Sequence, residues 1–583
     1  MKGFARRFTA LLAAAAALLL CACGAQEAEG GVDLENVPIS GTELQDREPV
    51  DGLFSINYDP EGNMNPIRAE NSANMQFWSL LYDSVFSIDE EFHLSSEIIA
   101  DYSTEDNSWW NFTVNLGYNF SDGSPLTAKD VAYSILVAKQ SSYYRHRLDI
   151  VYGCSSIDDS RFAISTTAPN SMLPLLLTIP IIRAGDYYED FPVGSGPYVL
   201  SDDHTRLVKN YEYRHVNSLP LDTIYLVDYM ESSVRIQAFD DSRLDIVTND
   251  PTSVFSLGYG STNETRYVET SNMQYVGFNT RSKYFQLFRL RCAVNYIIDR
   301  NYITGLMDNC AIPAALPVHP SSQLYDQEYA DSLGYNKELC QALFEQAGLG
   351  DLDNDGDLEV MVTGIVVELH IKFIVNSDSA VKVAAARRIA EELTSMGITT
   401  QVYELGWEDF VTALEEGDYD MYYGEVRMGM DWDLRYLFKV PDMNVQKVDW
   451  AMNYAKNTDE TYDRLYKEFF AASEIGRYDA FQQVARYIVD TGLIIPVCFE
   501  RRQVLTHRGV VSGLRATQYD LFYHFYEWII TMPEVLPADA PAVTEKPTVF
   551  NVPAATPTPA PTETPSDSPP PGTDGEETME DSQ

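Results

Sequence analysis

The sequence predicts an α/β protein with a mostly parallel sheet, and three observations predict it. Residues 370–428 alternate strand and helix patterns. Of the 583 residues 45% are apolar and 12% aromatic, so most of the chain can bury a core despite a formal charge of −46. The cysteines are too few and too irregular to replace such a core with a disulfide framework.

In the clearest stretch, 370–375 reads as a strand that ends at the breaker-rich Asn376-Ser-Asp-Ser379. A helix follows over 381–396, with Ile389, Leu393 and Met396 on one face and Gly397 ending it. Residues 398–405 read as strand, 408–416 as helix and 419–426 as strand. Strand–helix–strand alternation implies parallel strands with helices on their faces. Ligands of such sheets bind beyond the carboxyl ends of the strands, so the loops after Val375, Leu405 and Val426 are where a site is expected.

At the N-terminus, Lys2, Arg6 and Arg7 precede an apolar run from Ala10 to Leu20, too short to span a bilayer. The following Leu20-Cys21-Ala22-Cys23-Gly24 resembles a bacterial lipobox. That resemblance implies cleavage after residue 22 and a lipid on Cys23; the alternative is an ordinary signal peptide that leaves Cys23 a plain thiol. Residues 23–48 then form an acidic tether. At the other end, 534–583 holds 10 acidic residues, one Lys and 11 of the 29 prolines, a composition that predicts a disordered, extended tail.

With 41 Lys+Arg against 87 Asp+Glu, the charge excludes nucleic acid as a partner and excludes electrostatic docking on anionic lipid. No further apolar run is long enough for a second membrane anchor. No GxSxG or HExxH motif marks a hydrolase, and no enzyme activity is expected. Five body cysteines (Cys154, Cys292, Cys310, Cys340, Cys498) and eight scattered His give no zinc spacing, and no cofactor is expected. One disulfide between Cys310 and Cys340 stays open. Asp351-Leu-Asp353-Asn-Asp355-Gly356-Asp357 looks like the start of a calcium loop, with oxygen ligands at positions 1, 3 and 5 and Gly at 6. Its position 12 is Val362, where a full loop has Glu.

Four further segments follow in order. Phe120-Ser-Asp-Gly-Ser-Pro-Leu-Thr-Ala-Lys-Asp-Val-Ala-Tyr-Ser134 is a Gly turn entering a helix, with Thr127 as N-cap and Asp130 completing a capping box. Val193-Gly-Ser-Gly-Pro-Tyr198 has two glycines that allow positive φ and close backbone approach. Tyr275-Val-Gly-Phe-Asn279-Thr leads on to Arg289-Leu-Arg291-Cys-Ala293 and Ile298-Asp299-Arg300, where Asp299 and Arg300 read as a helix-end ion pair. Tyr335 to Gly348 is a helix before the Asp-rich turn. Together these segments resemble the peptide- and nickel-type solute-binding proteins of ABC transporters, solute-binding family 5.

The resemblance implies a bilobal type II periplasmic-binding-protein fold with an extra subdomain. Lobe I would take 49–74, 186–272 and 497–533, its subdomain 75–185, and lobe II 273–496. Ligand would be enclosed between the lobes. Trp407 matches a position that lines the family's pocket, the alternative being a Trp packed in the core. Asp431 or Asp433 would meet a peptide's α-ammonium. Arg427 would receive a ligand carboxylate or pair with Glu425. Asn63, Asn65, Ser195 and Asn279 would add polar groups at the cleft edges. The expected function is that of a monomeric lipoprotein on the outer face of the cell membrane. It would capture a small solute, a short peptide first of all, and deliver it to an ABC permease. The alternative is a peptide-signal sensor or adhesive lipoprotein on the same scaffold.

Overall fold

The computed structural model describes residues 52–532 apart from 254–255, 260–262, 363–364 and 446–447. The signal segment, Cys23, the tether and the tail at 534–583 lie outside the described residues.

Helix α1 (Ala128–Ala138) starts where its sequence sets it. The Asp130 carboxylate accepts the Thr127 backbone N–H at 2.9 Å and the Thr127 hydroxyl at 2.7 Å. Its other oxygen accepts the Ala184 N–H at 2.9 Å, so one residue both caps the helix and ties it to the 182–184 segment. The helix packs on a four-stranded antiparallel sheet built from Ile99–Thr104, Trp109–Val114, Val151–Ser156 and Arg161–Thr166. A second sheet runs in the order Ser55–Asn57, Thr223–Val227, Arg206–Lys209, Tyr198–Leu200. Both sheets feed one core, which includes Phe54, Phe112, Ile135, Tyr198 and Trp528. The 193–198 turn lies against the backbone of Leu81, and a Cβ at Gly196 would sit 2.5 Å from the Leu81 carbonyl carbon. Neither Gly194 nor Gly196 has positive φ. Close approach, not backbone conformation, is what glycine supplies here.

The largest sheet has seven strands: β1 (Ile246–Asn249), β2 (Glu264–Phe278), β3 (Ala311–Pro313), β4 (His370–Asn376), β5 (Thr399–Leu405), β6 (Met421–Arg427) and β7 (Ile494–Thr506). Its order is β1–β7–β2–β6–β4–β5, with β3 also on β7. β4 runs parallel to β5 and β6, joined through α2 (Ala380–Ser395) and α3 (Trp407–Glu416), as the alternating pattern predicts. Gly397 ends α2 at φ 85°. All other pairings are antiparallel, so the sheet is mixed and the expectation of a mostly parallel sheet is corrected. Periodicity reveals a strand but not a partner more than 200 residues away, and β2 with β7 is such a pair.

Alternate side chains of this sheet enter different cores. Ile374 and Tyr422 face the helices Thr461–Ala471 and Glu474–Asp490, beside Phe469 and Phe481. Phe373, Val375, Met421 and Tyr423 face α2, beside Ile389 and Leu393. The register between β2 and β7 is interrupted from Glu269 to Met273. Before this bulge Val268 and Val504 belong to the first core; beyond it Met273 and Phe499 belong to the second.

Two local expectations change. Asp299 and Arg300 form no ion pair with each other. Asp299 caps the helix Arg300–Gly305 by accepting the Tyr302 N–H at 3.0 Å. Arg300 is buried and donates to the carbonyls of Ala314, Pro496 and Leu333 and to Asn295 Oδ1. Burial holds its guanidinium down at about 10. Its planar fork of donors stitches four segments instead of meeting one carboxylate. All five body cysteines are free, so Cys310 and Cys340 are not bridged.

Candidate ligand site

Strand β6 ends at the bulge: Arg427 lies opposite Asn272, and the Met428 N–H bonds the Ser271 carbonyl at 3.0 Å. There Arg427 lines a cavity of about 270 Å³ together with Arg147 and Arg502. Trp78, Tyr144 and Tyr519 give it aromatic walls. Arg147, from the short helix Arg145–Leu148, donates to the Thr178 hydroxyl at 2.8 Å and carbonyl at 2.7 Å. Its guanidinium lies 4.8 Å from the Tyr144 ring and 5.6 Å from that of Tyr519. Among the described residues, neither Arg427 nor Arg502 forms an ion pair. Glu425 shares a strand face with Arg427, yet Lys382 of α2 takes it. The internal Glu425–Arg427 pair is therefore not made, because the first turn of α2 brings a second cation to the same carboxylate.

The opposite charge stands outside the lining, where Asp431 acts on the Tyr519 wall. Asp431 is 9% exposed. Its carboxyl is pushed up to about 7, by burial first and by the Asp433 carboxylate second. Asp433 is itself committed to Arg435 at 2.7 Å. Of the two candidates only Asp431 forms no ion pair among the described residues, although the Arg435 charge acts on it too. The charges of Arg147, Arg427 and Asp431 all act on the Tyr519 phenol, although burial is the main cause of its raised pKa. The next residue, Trp432, takes φ 55° and packs 5.5 Å from Phe92 and 6.1 Å from Phe499.

The other sequence candidates lie elsewhere. Trp407 is 60% exposed at the start of α3, neither a wall of this cavity nor a core side chain. Asn279 donates to the carbonyls of Gly417 at 3.1 Å and Tyr419 at 3.2 Å, closing the end of α3. Asn65 donates to Tyr187 and Glu189 carbonyls, both at 2.9 Å, and Asn63 accepts the Asn65 N–H at 2.8 Å. The Ser195 hydroxyl is buried without a hydrogen-bond partner among the described residues. None of these lines the Arg427 cavity. Arg147, Arg502 and Tyr519 are the residues that sequence reasoning missed, since each stands in a segment without a motif.

Beside the bulge, Glu500 is 3% exposed and accepts from Asn272 at 3.3 Å and from the Gln274 amide. Burial first, then Glu425, pushes its carboxyl up to about 7. Burial opposes the charge on Lys382, yet Glu425 and Glu500 hold its ammonium above the usual value. Ser379-Ala-Val-Lys382 has the spacing of a serine–lysine nucleophile pair. Here Ser379 caps α2 and donates to the Thr252 carbonyl at 3.3 Å, and Lys382 stays charged, so the pair cannot act as nucleophile and base.

Residues 94–439 match the bacterial extracellular solute-binding proteins, family 5 Middle. The chain belongs to this family. The oligopeptide-binding protein AppA of Bacillus subtilis (strain 168) is 21% identical over 458 residues, covering 73% of this chain and 82% of AppA. The periplasmic oligopeptide-binding protein OppA of Salmonella typhimurium is 22% identical, covering 84% and 91%. Among solved structures, B. subtilis AppA in complex with a nonapeptide superposes with a TM-score of 0.52 at 17% identity, covering 83% of this chain and all of that one. The nickel ABC transporter structure from Bacillus halodurans superposes with a TM-score of 0.65, also at 17% identity, covering 82% and 98%. The fold is the type II periplasmic-binding-protein fold. The protein is an extracytoplasmic solute-binding protein of the peptide and nickel ABC-importer type. No helix among the described residues is long and apolar enough to cross a membrane.

Proposed function

We propose that the protein is a lipid-anchored receptor that closes two lobes on a short peptide and hands it to an ABC permease. The observation that carries this reading is an aromatic-walled cavity lined by Arg427, which forms no ion pair among the described residues, with the charge of the buried Asp431 acting on its Tyr519 wall from outside the lining. A zwitterionic ligand supplies both missing charges: its ammonium for Asp431, its carboxylate for Arg427 and Arg502. Each charge-assisted bond is worth about 1.5–3 kcal/mol. Trp78, Tyr144 and Tyr519 offer flat walls that accept varied side chains. The two metal-competent clusters among the described residues, Asp351 with Asp353, Asp355 and Glu359, and Asp355 with Asp357 and Glu368, include no His or Cys, which favours a peptide over nickel. AppA and OppA, both oligopeptide-binding by name, support the same reading.

The lobe boundaries belong to this proposal: 49–74, 186–272 and 497–533 against 273–496, with 75–185 as the subdomain. The passage of β2 and β7 from one buried core to the next at their bulge supports them, while Met172 of the subdomain packs into the second core. The anchor belongs to the proposal too: a lipid on Cys23 would hold at the membrane, as a monomer, an acidic body in which no described helix is long and apolar enough to cross it. Calorimetry with pools of di- to pentapeptides tests the ligand. Heat and a thermal shift with at least one pool are expected; no response to any pool removes peptides. Membrane fractionation of Cys23→Ala tests the anchor, with release to the soluble fraction expected.

A further inference from the structure

The turn between the strands Leu349–Gly350 and Glu359–Val362 carries more acid than its motif announces. Asp351, Asp353 and Asp355 are exposed, and Gly356 takes φ 98°. Glu359, ninth in the loop, joins them: carboxylate oxygens of all four residues lie within 4.8 Å of one another. Glu359 is 2% exposed. Its Oε2 accepts the Leu352 N–H at 2.7 Å, while Oε1 is buried with no hydrogen-bond partner among the described residues. A buried carboxylate oxygen without a donor is costly, and three further carboxylates beside it add repulsion. A cation among the four would relieve both.

We propose that Asp351, Asp353, Asp355 and Glu359 bind one calcium ion. The donors are oxygens only, which suits a hard cation and not nickel or zinc. Four carboxylates on an open turn suit the larger, flexibly coordinated Ca²⁺ better than Mg²⁺, which keeps most of its water. The turn is shaped in advance: Asp351 accepts the N–H groups of Asp355 at 3.1 Å and Gly356 at 3.2 Å. Glu359 thus supplies the acid that Val362 does not. The site is also anchored, because the Leu358 N–H bonds the Gly397 carbonyl at 2.6 Å, just beyond the end of α2. Calcium would brace this hairpin against the helix, with an affinity of about 10⁻⁴–10⁻³ M, typical of extracellular modules.

Chelator-stripped protein, without peptide, is titrated with CaCl₂ and separately with MgCl₂ by equilibrium dialysis and thermal melting. One Ca²⁺ per chain and a melting rise of about 2–4 °C at about 10 mM are expected. Glu359→Gln keeps an acceptor for the Leu352 N–H, so it should fold, and it should weaken Ca²⁺ binding at least about tenfold. Asp353→Asn, on the exposed side, should do the same. Absent Ca²⁺ uptake, equal uptake by Glu359→Gln and parent, or Mg²⁺ competing on equal terms would each overturn the proposal. With no peptide in the assay, the result stands apart from the fate of the peptide reading.

Discussion

Asp431 is the residue on which the chemistry of the proposed site turns, because its carboxyl is already raised to about 7 before any ligand arrives. A ligand ammonium favours the ionised form, so binding must expel the proton wherever the free site holds one. Affinity for a peptide with a free amino terminus should therefore fall as pH drops below 7, by up to about tenfold per unit. Calorimetry at pH 5.5 and 7.5 measures this, and Asp431→Asn should flatten the profile while weakening binding about 10–100-fold. An N-acetylated peptide should not distinguish the variant from the parent; if it does, Asp431 acts on the fold and not on the ammonium. Arg427→Ala should weaken the free peptide by a similar factor and leave the C-terminally amidated one unchanged. At Gly196 the argument is steric, since the Leu81 backbone leaves no room for a side chain. Gly196→Ala should cost at least about 2 kcal/mol in denaturant melts.

At the scale of elements, β2 and β7 carry the connection between cores, and Glu500 sits at their bulge. Its folded pKa of about 7 lies above the ordinary 4.5. The folded state therefore holds a proton that the unfolded state has lost between these values, and stability declines as pH rises from about 4.5 to 7. Below that window Glu500 is protonated in both states and imposes no penalty. Glu500→Gln removes the penalty, so its melting advantage over the parent should be small at pH 5 and widest at pH 8, read by thermal melts across that range. A constant difference would mean that the carboxyl is ionised throughout. Helix α1 offers a simpler case: Thr127→Ala loses one half of the capping box and should cost about 1 kcal/mol.

At the scale of the molecule, two sets of cores share one sheet; β2 and β7 pass between them around Glu269–Met273 and Phe499–Gln503, and Met172 with Phe92 reaches the second core from the first part of the chain. The proposed lobes would hinge on these two strands, one of them already irregular. Saturating peptide should lower the radius of gyration in solution scattering, without loss of helix or strand by circular dichroism. An unchanged scattering curve with bound peptide would rule out closure of the lobes.

The sequence by itself determined the local pieces. The Thr127–Asp130 cap, the Gly397 helix end, the strands and helices of 370–427 and the Asp351 turn are each encoded within a few residues by capping groups, periodicity and glycine, and each was legible. The family resemblance was legible too, as motifs in order. The motif named Asp431 and Asp433 alike; that Asp433 alone of the two forms an ion pair depends on Arg435, which no motif records. Tertiary structure alone decided the rest: that β2 and β7 pair antiparallel across more than 200 residues and make the sheet mixed, that Lys382 takes Glu425 and leaves Arg427 free, that Arg147 and Arg502 reach the same cavity, and that Glu359 turns inward to the acidic turn. These are contacts between segments far apart in sequence, and no local pattern records which segments will meet.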